Sequence, residues 1–172
     1  MIYPQNFESR IEFDAIRRML KECCLCRLGR ERVDEMAFMD NFETVNTRLN
    51  EVVEFVRMMQ IEDGFPGDFY YDVREPLQRI RIEGMYMVAE ELFSLRRSLD
   101  TIGQILSILR KQNGDAADTE DSPLYPSLRA LAGDIEAFPR VIRDIDTIID
   151  KFGTVKDNAS PALARIRSEL SL

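Results

Sequence analysis

The stretch from Met85 to Gln112, MYMVAEELFSLRRSLDTIGQILSILRKQ, decides the fold of this chain. Its apolar residues are spaced alternately three and four apart, which is typical of a helix that packs lengthwise against other helices. They are Met85, Val88, Leu92, Leu95, Leu99, Ile102, Leu106 and Leu109. A second apolar row, formed by Phe93, Ile105 and Ile108, widens the stripe and favours burial inside a bundle. The sequence therefore predicts one long central helix with shorter helices around it.

Apolar patterns on either side of this stretch predict the flanking helices. A first helix is expected from Phe7 to about Gly29, where the glycine ends or kinks it. Asn41 is the predicted N-cap of a second long helix that ends near Gln60, with an apolar stripe at Phe42, Val45, Leu49, Val52, Val56 and Met59. Short helices are expected close to the C-terminus, with breaks at Phe138-Pro139 and at Ser160-Pro161. We predict an all-α fold, an elongated helical bundle around the central helix, with a small β-ribbon near 152–157.

The overall charge limits the partners of the chain. Its 172 residues include 31 acidic and 23 basic ones, which gives a net charge of −8. An acidic balance of this size argues against a strong hold on a phosphate backbone by this chain alone. No apolar run approaches the ~18 residues that a membrane span needs, so we expect no membrane partner and a cytoplasmic location.

The inventory of reactive residues is small. The chain has no histidine and only three cysteines, Cys23, Cys24 and Cys26. Without a further ligand pair these cysteines do not form the usual zinc pattern, and without histidine the common Ser-His and Cys-His catalytic pairs are excluded. The phosphate-loop pattern G-x-x-x-x-G-K-[ST] does not occur either. The sequence therefore predicts no catalytic, cofactor-binding or metal site in this chain.

Two groups of residues are candidates for function. Arg27, Arg30 and Arg32 surround Gly29 and form the first candidate for a weak nucleic-acid patch, although a solvated helix face is the favoured interpretation. The segment from Gly153 to Pro161 combines a glycine, an Asp-Asn pair and an N-cap, so it can absorb backbone rotation as a hinge. An ordinary turn followed by a capped helix is the alternative interpretation of that segment.

An aromatic group in the loop after the second long helix has two interpretations as well. Phe65, Phe69, Tyr70 and Tyr71 lie in a stretch that contains two glycines and a proline. Aromatic side chains can stack on bases, but three aspartates are interleaved here. We therefore predict that the four rings form a small hydrophobic cluster under the loop.

The end of the sequence resembles a known family. Lys151, Phe152, Gly153 and Asp157, followed by Ala159-Ser160-Pro161, Leu163 and Ile166-Arg167, resemble the segment of MutS-type proteins that leads from the core domain into the long helices of the clamp. The resemblance is greatest to the second bacterial type, the MutS paralogue that ends in a small MutS-related (Smr) nuclease domain. The order of helices and loops upstream is similar to the start of that family as well.

This resemblance implies a domain organisation and a role. Residues 1–157 would be the first part of a MutS-type helical core (lever) domain, and 158–172 the start of a helix toward the clamp. The family motif and hinge residues in this chain would be Gly153, Asp157, Ala159, Ser160, Pro161 and Arg167. ATP with Mg²⁺ and the nuclease site would belong to distant parts of the full-length protein, so this chain would be a truncated, non-catalytic fragment.

The family resemblance also implies partners. The remainder of the same polypeptide, with its clamp and ATPase, would be the first partner, and the full-length protein would be a homodimer. DNA or the ribosome would be bound through the full-length protein, either in the control of DNA repair and recombination or in the rescue of collided ribosomes. A free-standing helical module for protein–protein interaction is the alternative function.

Overall fold

The computed structural model describes residues 6–112 and 123–170. Helices contain 63% of these residues, and no named strand occurs among them, which confirms the all-α prediction. The helices are α1 Phe7–Arg10, α2 Phe13–Cys23, α3 Arg27–Asp34, α4 Phe42–Ile61, α5 Arg74–Arg79, α6 Ala89–Leu109, α7 Pro126–Ala132, α8 Pro139–Ile148 and α9 Pro161–Leu170. Two isolated β-bridges join Gln112 to Pro123 and Ile149 to Val155, and the second overlaps the predicted ribbon.

The chain divides into two compact units, Met1–Asp40 and Asn41–Leu172. The sequence did not predict this division. The family resemblance implies a different boundary, between residues 157 and 158, where the core domain would give way to a helix toward the clamp. That boundary stays a prediction.

The described residues of the first unit, 6–40, form three helices, where the sequence predicted one helix to about Gly29 and further helical character after it. Glu12 has a φ of +59° and separates α1 from α2, and Cys24 is extended and separates α2 from α3. Gly29 lies inside α3, so the first helix does not end at this glycine as one form of the prediction had it. A Cβ atom at Gly29 would lie 3.4 Å from the Cβ and Sγ atoms of Cys24. The glycine therefore allows α3 to approach the preceding turn closely.

Arg17 connects the parts of the first unit. Its Nη2 atom donates to Glu8 Oε2 at 2.7 Å and to the Met36 carbonyl oxygen at 2.8 Å, and its Nη1 atom donates to Asp14 Oδ1 at 3.1 Å. The guanidinium also lies 4.6 Å from the centre of the Phe13 ring. The side-chain hydrogen bond to Glu8 is the main reason that the pKa of Arg17 is raised.

The main core of the second unit lies where α4, α6 and α7 meet. Its buried side chains are Met58 from α4, Leu109 from α6, and Tyr125 and Leu128 from the start of α7. α4 begins as the sequence predicted, because Asn41 Oδ1 accepts a hydrogen bond from the Thr44 amide at 2.9 Å. This capped helix positions Met58 against the two other helices.

Glu54 of α4 caps the start of α7. Its two carboxylate oxygens accept hydrogen bonds from the amides of Ser127 and Leu128, at 3.0 and 2.9 Å. These amides belong to the first turn of α7, whose N–H groups have no partner within the helix. Burial alone would raise the pKa of Glu54, but the hydrogen bonds from Leu128 and Ser127 outweigh it and lower the pKa below its usual value.

The central helix is shorter than predicted. α6 begins at Ala89, so the expected first turn from Met85 to Val88 lies outside the helix, after Gly84 with its φ of +82°. Glu91 Oε2 accepts a hydrogen bond from the Val88 amide at 3.0 Å and so fixes the new start.

The predicted apolar stripe of α6 is only partly buried. Leu106 and Leu109 are buried, whereas Ile102 is exposed, and two polar residues outside the stripe, Ser98 and Thr101, are buried instead. The Thr101 hydroxyl donates to the Asp68 carbonyl oxygen at 3.4 Å, and the Ser98 hydroxyl contacts the carbonyl of Tyr71. Small hydroxyl side chains at these positions allow the backbone of the loop 62–73 to lie directly on α6.

The aromatic loop forms the predicted hydrophobic cluster only in part, because Phe65 is packed whereas Phe69 and Tyr71 are exposed. The rings of Phe55 and Phe65 meet edge to face at 5.6 Å, and those of Phe69 and Tyr71 lie 6.2 Å apart. Phe65 also packs against the main core.

Candidate functional site

The connection between α8 and α9 contains most residues of the predicted hinge. Its backbone forms a short antiparallel pair, in which the Asp150 amide donates to the Thr154 carbonyl and the Lys156 amide to the Ile148 carbonyl, each at 2.9 Å. Asp150 Oδ1 accepts from the amides of Thr154 and Phe152, also at 2.9 Å. These hydrogen bonds lower the pKa of Asp150, that from Thr154 most of all. The connection is thus a closed, hydrogen-bonded loop, which we call the junction loop (residues 149–160).

Gly153 is the residue of the junction loop whose backbone lies against Phe93 of α6. Its φ of +83° is in the left-handed region, and a Cβ atom there would lie 3.0 to 3.1 Å from three carbon atoms of the Phe93 side chain. Both facts require glycine, since a side chain would be strained and would press on α6. The junction loop therefore lies directly against Phe93.

The last part of the junction loop starts α9. Ser160 Oγ accepts a hydrogen bond from the Leu163 amide at 3.1 Å, which confirms it as the N-cap before Pro161. Arg167, two turns into α9, donates to the Val155 carbonyl oxygen at 3.3 Å and pairs with the carboxylate of Asp157. The half-buried Ala159 donates its amide to the Lys156 carbonyl at 3.1 Å. The six predicted hinge residues thus lie in the junction loop and the first two turns of α9, and their role as a hinge stays a prediction.

Two helices form the base under the junction loop. Arg96 of α6 binds Asp146 of α8 through two hydrogen bonds, Nε to Oδ1 at 3.0 Å and Nη2 to Oδ2 at 3.3 Å. The bond to Asp146 is the main reason that the pKa of Arg96 is raised. Lys156 of the loop donates from Nζ to the Asp146 carbonyl oxygen at 2.5 Å. Asp146 therefore connects α6, α8 and the junction loop.

Sequence reasoning missed this base. Arg96 and Asp100 are four residues apart, and their 3.3 Å contact is the one signal that helix spacing offers. The pair of Arg96 with Asp146 joins residues 50 positions apart, which periodicity does not relate. Phe93 was noted only as part of a second apolar row.

A pocket of about 270 Å³ lies between α6, α8 and the junction loop. Its charged lining consists of Arg96, Arg97, Asp146, Asp150, Lys151 and Lys156, and Phe93 and Ile149 complete the walls. The Arg97 guanidinium lies over two rings, 4.3 Å from the centre of Phe69 and 5.4 Å from that of Phe93.

The predicted arginine patch is far less organised. All three arginines lie on α3, where Arg27 pairs with Glu31 at 2.9 Å and Arg32 pairs with Glu35 at 2.8 Å. The Arg27 and Arg32 side chains are 76% and 84% exposed. This arrangement favours the solvated-face interpretation, while nucleic-acid binding by Arg27, Arg30 and Arg32 stays a prediction.

The described residues contain neither a cluster of metal ligands nor a membrane-spanning helix. Within residues 6–112 and 123–170, no group of three or more Cys, Asp or Glu side chains is arranged to hold a metal ion. In the same part of the chain, no helix has the length and apolar character needed to span a membrane.

The described helices and the junction loop belong to an all-α chain. Comparison with known proteins is more specific, because the chain is homologous over nearly its whole length to a region of bacterial MutS2 endonucleases. It is 27% identical over 161 residues to the Endonuclease MutS2 of Alkaliphilus oremlandii, which covers 94% of this chain and 19% of that protein. The MutS2 of Listeria welshimeri is 29% identical over 167 residues, which cover 96% of this chain and 20% of that protein.

The chain spans about a fifth of the length of these relatives. No family profile matches the chain. No solved structure matches it either.

Proposed function

We propose that this chain is the non-catalytic core (lever) segment of a MutS2-type protein and passes nucleotide-driven motion toward a DNA clamp. The homology supports this proposal, because it covers 94% of the chain but only 19% of the relative. A segment of that size would act through the rest of the polypeptide. ATP, Mg²⁺ and nuclease chemistry would then belong to that remainder.

The uncovered apolar stripe of α4 is the observation that carries the proposal. Leu49, Val52, Val56 and Met59 are the predicted packing positions, yet each is at least half exposed. The helix instead packs through Glu54 and Met58, which lie on another face. Val53 and Phe55 border the stripe and are exposed as well, so it is wider than the seam of a two-stranded coiled coil. A continuous apolar patch of this kind marks an interaction surface.

Helices from the rest of the polypeptide are the proposed occupants of this stripe. The relatives carry about four-fifths of their length outside the homologous region, so they have ample chain to cover it. No charged residue occupies the stripe positions 42, 45, 49, 52, 56 and 59, which suits lengthwise packing of apolar helices.

The junction loop is the proposed site of coupling. α9 would lead toward the clamp, and its Ile166 and Leu170 are exposed. Arg167 fastens the helix to Val155 and Asp157, and Gly153 sets the loop against Phe93 of α6. A movement of α6 or α8 would therefore pass to α9 through these contacts. Rotation at the same contacts would make the loop a hinge.

The partners follow from this role. We propose that the full-length protein is a cytoplasmic homodimer that binds DNA or the ribosome, in repair and recombination control or in ribosome rescue. With its net charge of −8 the chain itself would add little affinity for DNA. Its own affinity for duplex DNA near physiological salt should be no tighter than about 10⁻⁴ M.

A chimera tests the proposal. The chain would replace the matching fifth of Listeria welshimeri MutS2, and the affinity for branched DNA would be measured with and without ATP. We expect the chimera to respond to ATP and Gly153→Ala to weaken that response, because the added Cβ presses on Phe93. Gly103→Ala is the matched control, since its Cβ would lie 4.0 Å from its nearest neighbour, Ala137.

Two results would count against the proposal. A chimera whose DNA affinity does not change with ATP would mean that this chain does not couple the ATPase to the clamp. An isolated chain that hydrolyses ATP or cuts DNA, and loses this activity when one of its own residues is replaced, would show that it is catalytic.

The alternative function is a free-standing helical interaction module. The α4 stripe favours it too, because the same face could dock a separate partner. Sequencing the natural reading frame separates the two functions. A frame that continues into a phosphate-loop motif supports the MutS2-type role, and a frame that ends at Leu172 supports the module.

A further inference from the structure

The pocket between α6, α8 and the junction loop is positively charged in an acidic protein. Four cationic and two anionic side chains line it, which gives an excess of two positive charges in a chain whose net charge is −8. Its volume of about 270 Å³ is just below the range of pockets that hold drug-sized molecules. The pocket therefore suits a small anion or a single anionic group of a larger ligand.

Both carboxylates of the pocket already have partners. Asp146 binds Arg96 through two hydrogen bonds of 3.0 and 3.3 Å. Asp150 Oδ1 accepts from two backbone amides of its own loop, those of Phe152 and Thr154. Neither carboxylate extends toward Arg97 or Lys151 in an ion pair, so neither neutralises these two cations.

Arg97 and Lys151 have no carboxylate partner among the residues that the structure describes. The rings of Phe69 and Phe93 fix the plane of the Arg97 guanidinium, which leaves the N–H groups at its edge as donors. Lys151 lies with its Nζ atom 4.9 Å from the centre of the exposed Phe152 ring. A guanidinium oriented in this way is suited to the oxygens of a phosphate.

Lys156 adds a third cation at the pocket wall. Its Nζ atom donates to the Asp146 carbonyl oxygen, and an ammonium group has two further N–H donors. The residues that line the pocket thus include one arginine with an oriented guanidinium and two lysines whose flexible side chains can turn toward a bound anion.

We propose that this pocket binds a phosphate monoester group, with Arg97, Lys151 and Lys156 as its ligands. A monoester carries about −1.5 to −2 charges at pH 7, which matches the excess charge of the lining. The group could belong to a free phosphate ester or to the 5′ end of a nucleic-acid strand. Because its ligands come from α6 and from the junction loop, a bound phosphate would fasten that loop to α6. The proposal does not depend on the MutS2-type role.

NMR titration of the whole chain tests this site. Inorganic phosphate, added at constant ionic strength against a chloride reference, should shift the amide signals of residues 149–156 with saturation. Arg97→Gln and Lys151→Ala should each weaken the affinity about tenfold, which is the loss expected for one charge-assisted hydrogen bond. Arg165→Ala removes one positive charge outside the pocket and should leave the affinity unchanged.

A second titration identifies the source of the phosphate. A short oligonucleotide with a 5′-phosphate that binds more tightly than inorganic phosphate, and more tightly than its 5′-hydroxyl form, assigns the site to strand ends. Equal affinity for the phosphorylated strand and for inorganic phosphate assigns it to free phosphate esters.

Two results would overturn the proposal. One is the absence of saturable shifts with both phosphate probes. The other is an equal loss of affinity in Lys151→Ala and Arg165→Ala, which would mean that only general charge attracts the anion. Lys151 is exposed, so its variant should fold normally, and the test does not depend on Arg97 alone.

Discussion

The contact between α4 and α7 and the contact between α6 and α8 hold their helices together by different means. The first buries Met58, Tyr125 and Leu128 almost completely and caps α7 with Glu54. The second rests on the pair of Arg96 with Asp146, on Lys156 and on a glycine that fits against Phe93. Apolar burial dominates the first contact, whereas the second combines the buried side chains of Ile145 and Ile149 with hydrogen bonds between charged groups.

The difference indicates which contact can move. Close-packed apolar side chains lose much free energy when they separate, whereas partly exposed ion pairs contribute little each and exchange readily with water. We therefore expect the α4–α7 contact to be the rigid base of the second unit. The partly exposed ion pair and the junction loop from Asp150 onward are where we expect rotation at low cost.

The largest expected effect belongs to the rigid contact. Met58→Ala should lower the free energy of unfolding by about 2 to 5 kcal/mol, because it removes a side chain that is only 2% exposed and leaves a cavity. Met59→Ala, one position along the same helix, removes the same side chain from a site that is 51% exposed. It should cost less than about 1 kcal/mol. Urea denaturation of both variants checks the pair, and equal losses would contradict the assigned packing face.

Gly153→Ala probes the second contact. The substitution should lower the free energy of unfolding by about 1 to 3 kcal/mol, since alanine is strained at a φ of +83° and its Cβ atom would press on Phe93. Gly103→Ala should be neutral or slightly stabilising, because it replaces a glycine inside α6. Thermal unfolding of the two variants measures the difference. A neutral Gly153→Ala would mean that the junction loop is not set against α6.

Glu54→Gln tests the helix cap and its dependence on pH. The free energy of unfolding of the variant should be about 1 kcal/mol lower at pH 7, because the charged acceptor for the amides of Ser127 and Leu128 becomes neutral. The pKa of Glu54 is lowered in the folded chain from its ordinary 4.5, so its stabilisation is present above that pH and is lost as the pH falls further.

The difference in free energy of unfolding between wild type and Glu54→Gln should therefore shrink below about pH 4.5. Urea denaturation across the acid range measures it. Glu43→Gln, on the exposed first turn of the same helix, is the control and should show little change at any pH. A stability difference for Glu54→Gln that stays constant as the pH falls would contradict the role of the Glu54 carboxylate as the cap of α7.

Arg96→Ala should have the smallest effect. The Arg96 and Asp146 side chains are 25% and 45% exposed, so solvent screens their pair, and the loss should be about 0.5 to 1 kcal/mol. The loss should shrink when the salt concentration rises. Unfolding measured at low and high salt checks this, and a loss above that of Met58→Ala would reverse the comparison between the two contacts.

Helix spacing predicted which segments are helical, but it did not predict which helical faces are covered. Asn41, Pro139 and Ser160-Pro161 mark helix starts through local hydrogen bonds and fixed backbone angles, so local sequence sufficed there. The stripe of α4 was predicted just as clearly, yet its residues are exposed. Burial depends on what lies opposite a face, and that information is not local.

The junction shows the same limit on a smaller scale. Gly153, Asp157, Ser160 and Arg167 lie close in sequence, and their resemblance to a family motif identified them. The residues beneath them come from α6 and α8, and only the folded chain brings Arg96 to Asp146. The break at Glu12 was missed for a further reason, since a left-handed glutamate has no sequence signal.

The central claim is that the exposed stripe of α4 packs against the rest of a MutS2-type polypeptide. The most direct measurement is the melting temperature of the double variant Val52→Glu/Val56→Glu, in the chain alone and in the Listeria welshimeri chimera. The claim predicts no loss in the isolated chain, where both side chains already face solvent, and a fall of several degrees in the chimera, where charges would be buried. An unchanged melting temperature in both proteins would contradict it.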